Sequence, residues 1–146
     1  MNFTRRVLPL LAIVLLAGCA SGVKHADMKS SMPTIKPGEG RIYFLRSSSM
    51  MGAAIQPTIM LDGQAVGQSM PGGSFYVDRP AGNYKVSGAT EVERSLSLTL
   101  AAKEVKYVRS SISFGVVAGR VNFDLMESAA AEAELAGLAY TGGPKK

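Results

Sequence analysis

Arg94-Ser95-Leu96-Ser97-Leu98-Thr99-Leu100 is the stretch whose reading decides the fold. Leucine returns at every second position with a hydroxyl residue between, the period of a strand with one dry and one wet face. A helix would place Leu98 on the side opposite Leu96 and Leu100, so no single helical face would be dry. A half-buried strand needs a second layer to cover it, and that requirement sets the class.

Working outward, turn chemistry brackets this strand on both sides. Upstream, Arg79-Pro80-Ala81-Gly82-Asn83 is a turn feeding a strand over Tyr84 to Ala89. Asp62-Gly63 is the hairpin signal, because an Asp-Gly pair accepts the two positive φ angles of a type I′ turn. It joins a strand over Ile55 to Leu61 with a returning one over Gln64 to Ser69, and Pro71-Gly72-Gly73 then breaks the chain before Ser74 to Asp78. Gly40-Arg41-Ile42-Tyr43-Phe44-Leu45-Arg46 has apolar residues on both faces, which predicts a strand covered on both sides. Downstream, Val105 to Phe114 and Val116 to Phe123 complete the set, the last weakened by Gly119.

The period then changes. Asp124 followed by Glu127 reads as a helix cap with an acid at the third position, and Ser128 to Leu138 is rich in Ala and Glu with Gly137 near its stop. Met126, Ala130, Ala133 and Gly137 would share one face of small residues against a sheet. The expected fold is therefore mainly β: a small antiparallel β-sandwich or partial barrel of about seven or eight strands, with one C-terminal helix. The expected domain spans residues 40–140, and residues 141–146 form a tail.

The N-terminus carries an address. Met1 to Arg6 is a short basic leader, Val7 to Leu16 is uncharged, and small residues follow. This is the layout of a secretory signal peptide over residues 1–18. Ten apolar residues rise about 15 Å as a helix against a hydrocarbon core of roughly 30 Å, too short to span. Leu16-Ala17-Gly18-Cys19 resembles the bacterial lipoprotein signal, in which the cysteine thiol is acylated with diacylglycerol and becomes the first mature residue. That resemblance implies palmitate-type acyl chains on Cys19 and attachment to a membrane. It also implies the outer membrane, on the inner leaflet facing the periplasm, since Ala20 rather than aspartate follows the cysteine. Residues 19–39, rich in Ser, Gly, Lys and Pro, read as a flexible tether with a reach of roughly 25 Å.

Within that tether His25, Met28 and Met32 fall at helical spacing, and imidazole with thioethers suits Cu(I). A formal charge of +5 without a run of basic residues and interleaved aromatics predicts no nucleic-acid partner. His25 is the sole histidine and lies outside the domain, which removes a Ser-His-Asp arrangement and leaves Ser47-Ser48-Ser49 as loop. Asp62, Asp78, Glu91 and Glu93 are the carboxylates that a glycosidase pair would draw on, and each also fits a turn or loop role. The expectation is a protein that is not an enzyme and holds no cofactor.

The domain resembles an uncharacterised family of bacterial lipoproteins, defined as a domain of unknown function. The carrying residues are the Gly40–Arg46 strand, Leu61-Asp62-Gly63-Gln64-Ala65-Val66-Gly67, Arg79-Pro80-Ala81-Gly82-Asn83-Tyr84-Lys85-Val86 and Ala101-Ala102-Lys103-Glu104-Val105-Lys106-Tyr107-Val108-Arg109. The resemblance implies a β-sandwich in the cell envelope with no assigned catalytic residue. Two readings follow. One is an accessory module contacting an envelope protein or peptidoglycan, with Tyr43, Tyr76, Arg79, Tyr107 and Arg109 as surface contacts, since Tyr and Arg are enriched at hot spots. The other is a carrier holding an apolar ligand such as lipid between its sheets, lined by Ile42, Phe44, Leu96, Leu98 and Leu100.

Overall fold

The computed structural model describes residues 19–142. The expected signal segment, with Leu16, Ala17 and Gly18 of the cleavage motif, and residues 143–146 lie outside the described residues.

Among the described residues the strand periods resolve into nine strands: β1 (Glu39–Leu45), β2 (Thr58–Leu61), β3 (Gln64–Gln68), β4 (Gly73–Pro80), β5 (Gly82–Ala89), β6 (Glu93–Leu100), β7 (Val105–Phe114), β8 (Gly119–Leu125) and β9 (Ala139–Tyr140). Two short α-helices accompany them, α1 (His25–Met28), continued by a 3-10 turn over Lys29–Ser31, and α2 (Ser128–Leu135). One sheet has the order β8-β7-β1-β4-β9 and the other β3-β2-β5-β6. The mainly β class and the C-terminal helix are as the sequence predicts, and the sheets do not close into a barrel.

The antiparallel sandwich expected from the sequence also contains two parallel pairings. β1 runs parallel to β7, with Arg41 opposite Val105 and Leu45 opposite Arg109, and β4 runs parallel to β9. The chain leaves β1 for the second sheet and returns twice, so β1 ends at the centre of the first sheet between β4 and β7.

That central position explains why β1 is apolar on both faces. Ile42 and Phe44 point into the sandwich, where they meet Phe75, Val77 and Val108 of their own sheet and Ile59, Leu61, Val86, Leu98 and Leu100 of the other. Tyr43 and Leu45 point the other way and pack with Tyr76 and Tyr107 under Ala131, Leu135 and Leu138. β6 keeps its predicted alternation, with Leu98 and Leu100 buried and Ser95, Ser97 and Thr99 exposed. At the hairpin, Asp62 (φ 47) and Gly63 (φ 79) adopt the positive angles that an Asp-Gly turn requires.

Three local expectations fail for physical reasons. The strand placed at Ile55 begins at Thr58, because residues 46–57 form a loop that wraps Arg46. The capping box is absent: Asp124 lies in β8 opposite Arg109, and the residue before α2 is Glu127, which makes no side-chain cap bond. The small-residue face Ala130, Ala133 and Gly137 is exposed, and α2 docks instead through Ala131 and Leu135.

The tether is also corrected. Residues 20–33 are seated on the domain rather than free. The Ala20 N–H donates to Pro71 O (2.9 Å), His25 N–H to Leu138 O (2.9 Å) and Tyr140 N–H to Val23 O (2.8 Å). Arg41 Nη2 donates to Pro33 O at 2.8 Å. Backbone groups of the first segment thus complete the sheet edge at β9.

Candidate functional site

The residues predicted as surface contacts divide sharply. Tyr43, Tyr76 and Tyr107 are 8%, 9% and 5% exposed, so all three are corrected from surface to core. They stand on the outer face of the first sheet, and α1, α2 and Leu138 cover that face. Tyr43 stacks on Tyr107 (5.5 Å between centroids, 7° between planes) and meets the edge of His25 at 5.3 Å. Its hydroxyl donates to Met32 Sδ at 3.2 Å, and the Tyr107 hydroxyl donates to Glu132 Oε1 at 3.0 Å. Burial pushes both phenols above their ordinary pKa. Arg79 and Arg109 stay partly exposed, Arg79 donating to Asp78 O and Arg109 lying 3.8 Å from Glu134. The five residues do not form one surface.

Beneath the tyrosines lies a buried ion pair. Arg41 Nε and Nη2 grip both oxygens of Asp78 at 2.7 and 2.8 Å, and the guanidinium sits 4.1 Å over the Tyr76 ring. The hydrogen bonds to Asp78 raise the Arg41 pKa. The other carboxylates are dispersed: Asp62 accepts the Lys85 N–H, Glu93 lies near Lys85, and Glu91 anchors a loop. They form no facing pair.

His25, Met28 and Met32, the candidate copper ligands, belong to the docked segment. His25 is 6% exposed, Nδ1 has no hydrogen-bond partner, and burial lowers its pKa, with Lys29 adding to the shift. Met32 Sδ is engaged by Tyr43. Among the described residues no three His, Cys, Asp or Glu side chains converge on a metal position.

Sequence reasoning missed Arg46. It is 3% exposed, and its guanidinium is satisfied by carbonyls: Nη1 donates to Ile55 O (2.7 Å) and Ser69 O (2.8 Å), Nη2 to Gly52 O (2.8 Å). One cation thereby gathers the loop after β1 and the turn before β4 at one end of the sandwich. A cleft of about 230 Å³ opens beside it, lined by Ser47, Ser49, Met51, Arg109 and Ser111. Between the sheets, where an apolar ligand would sit, Ile42, Phe44, Ile59, Leu61 and Val86 pack as one buried cluster, and the pocket that Phe44, Ile59 and Phe75 help line beside Arg46 leaves no room for a water molecule.

Cys19 is exposed and unpaired, immediately before the Ala20–Pro71 hydrogen bond at this same end. Glu91 takes the loop role that its sequence position allows, with partners that the sequence does not reveal. Its carboxylate accepts the N–H groups of Val116 (3.0 Å), Val117 (2.8 Å) and Ala118 (3.2 Å) and pairs with Arg120 Nε at 2.6 Å. The Val117 N–H, then Arg120, hold its pKa down to about 2.

A family model described as "Protein of unknown function (DUF2846)" matches residues 36–122. An uncharacterized protein of Haemophilus influenzae is 26% identical over 116 residues, covering 76% of this chain and 68% of its own length. No solved structure matches. The family match covers β1 to most of β8 and leaves the docked N-terminal segment and α2 outside it.

Proposed function

We propose, from the premise that this chain belongs to the family described as "Protein of unknown function (DUF2846)", that it is a lipid-anchored, non-catalytic accessory module of the bacterial cell envelope. Cys19 is its point of attachment, and an envelope protein or peptidoglycan is its partner. The observation that carries the reading is the Leu16-Ala17-Gly18-Cys19 motif ending in an exposed, unpaired thiol. Two acyl chains make such an anchor lasting where one is marginal. Among the described residues no helix is long and apolar enough to cross a membrane, which agrees with attachment by lipid.

The packed interior supports the accessory module over the carrier of an apolar ligand. The employment of the carboxylates in turns and ion pairs supports a non-catalytic role. The test is Cys19→Ala in the full chain, followed by membrane fractionation and mass spectrometry of the N-terminal peptide. Loss of acylation and of membrane attachment is expected. A cleaved variant that stays with membranes would overturn the anchor. Crosslinking in cells that recovers stoichiometric lipid and neither envelope protein nor peptidoglycan would overturn the partner.

A further inference from the structure

Of the eight large apolar side chains exposed among the described residues, six, Met50, Met51, Val92, Phe114, Val116 and Val117, gather at one end, and Val23 and Leu125 lie apart from them. The strand register places them. β7 passes Leu45 of β1 at Arg109 and continues to Phe114, where Gly119 of β8 faces it. The loop 115–118 therefore projects about five residues, roughly 16 Å, beyond the end of β1. The β5–β6 turn, carrying Val92, stands beside it, because Glu91 holds that loop. The loop with Met50 and Met51 packs alongside, Gly52 lying against Ile112.

Exposure alone would mean little, since single apolar residues are common on surfaces. Here the exposure is built. Phe114, Val116 and Val117 are 84%, 86% and 90% exposed; Phe114 is fixed at the end of β7 opposite Gly119, and Glu91 binds three successive N–H groups of the loop that carries Val116 and Val117. A clustered apolar tip held away from its own core marks a contact with something apolar.

The position of Cys19 says what that is. Ala20 is bonded to Pro71, and the neighbouring Gly72 N–H donates to Arg46 O at the end of β1, so the cysteine leaves the sandwich at the end that carries the tip. The opposite end, with the turns at Asp62-Gly63, Pro80–Gly82 and Ala101–Glu104, presents Lys36, Glu39, Asp62, Lys103 and Glu104. With residues 20–33 docked, little slack separates the cysteine from the domain.

We propose that the apolar end rests on a phospholipid bilayer, with Phe114, Val116 and Val117 dipping into the boundary between headgroups and acyl chains. Arg120 neutralises the Glu91 carboxylate beneath them, so the loop carries no net charge to that boundary. The proposal deepens the anchored reading and rests on it for which membrane is met; the contact itself follows from the tip.

The chain contains no tryptophan, so a single one is a clean probe. Full-length Phe114→Trp and, as control, Leu125→Trp lower on β8 are reconstituted into phosphatidylethanolamine–phosphatidylglycerol vesicles with brominated acyl chains. The mass of the N-terminal peptide is measured on the same sample. The expected result is blue-shifted, bromine-quenched emission for Phe114→Trp, at a depth of roughly 5–10 Å, and unshifted, unquenched emission for Leu125→Trp. Adding Glu91→Gln to the Phe114→Trp chain should weaken the quenching, because the loop loses its clamp. Unshifted, unquenched Phe114→Trp on an acylated chain overturns the proposal and leaves the anchor standing. Blue-shifted but unquenched emission also overturns it, because a protein then covers the tip. Quenching on a chain without acyl groups supports the tip contact and overturns the anchor instead.

Discussion

Arg46 shows how one side chain can organise an end of the molecule. Its guanidinium has no carboxylate partner among its hydrogen bonds and is held by the carbonyls of Gly52, Ile55 and Ser69. Arginine suits this task because its donors are spread in a rigid plane, whereas lysine offers a compact ammonium. Removing it leaves buried carbonyls unpaired at about 1–3 kcal/mol each. Arg46→Met is therefore expected to lower unfolding stability by about 3 kcal/mol in urea titration. Arg46→Lys should recover only a part, and an unchanged midpoint for either would show that the carbonyls find other donors. The Arg41–Asp78 pair makes a different prediction. Asp78→Ala strands a buried cation and should cost about 3–5 kcal/mol, whereas Arg41→Met combined with Asp78→Leu should recover most of it. Denaturant melts of the three chains check this.

At the scale of elements, the sequence was legible where burial imposes a period and silent where backbone bonds do the holding. β6 and β1 were readable because each has an apolar pattern set by what covers it. The docked segment was not, since Ala20–Pro71, His25–Leu138 and Val23–Tyr140 are main-chain hydrogen bonds that many sequences could make. β9, at two residues, is too short for any period. The tyrosines were misplaced for a related reason: alternation shows which residues share a face, but not which cover that face receives. Leu135, 1% exposed, carries much of that cover. Leu135→Ala should destabilise by about 2–5 kcal/mol and expose Tyr43 and Tyr107, read by denaturant melts and tyrosine absorbance.

The same element has a pH dependence. His25 is buried with its pKa lowered, so its neutral form fits the docked segment and its charged form does not. Docking is thus at full strength above the ordinary histidine pKa of 6.5 and weakens as pH falls below it toward the lowered value. The protection factor of the Tyr140 amide, whose N–H bonds to Val23, should fall from pH 7.5 to 5.5 once the intrinsic slowing of exchange with falling pH is divided out. His25→Phe should remove that loss of protection; its persistence would place the titration elsewhere.

At the scale of the whole molecule, the sandwich is organised by the parallel pairing of β1 with β7, which waits for all of residues 46–104 between them. Such distant pairings make folding slow, in the range of milliseconds to seconds. Stopped-flow refolding from urea should fall in that window, and microsecond folding would show that β1 does not need β7 to form.

Between Ile59 and Met60 the register of β2 with β3 slips, Ile59 facing Gly67 and Met60 facing Ala65, so that Val66 is the extra residue. β3 is an edge of its sheet, and an edge invites pairing with another copy of itself. A bulge in a five-residue edge twists the free N–H and C=O groups out of line and spoils that template. On the membrane attachment proposed above, neighbours would meet edge to edge far more often than in free solution, and this irregularity would then guard against two-dimensional clustering.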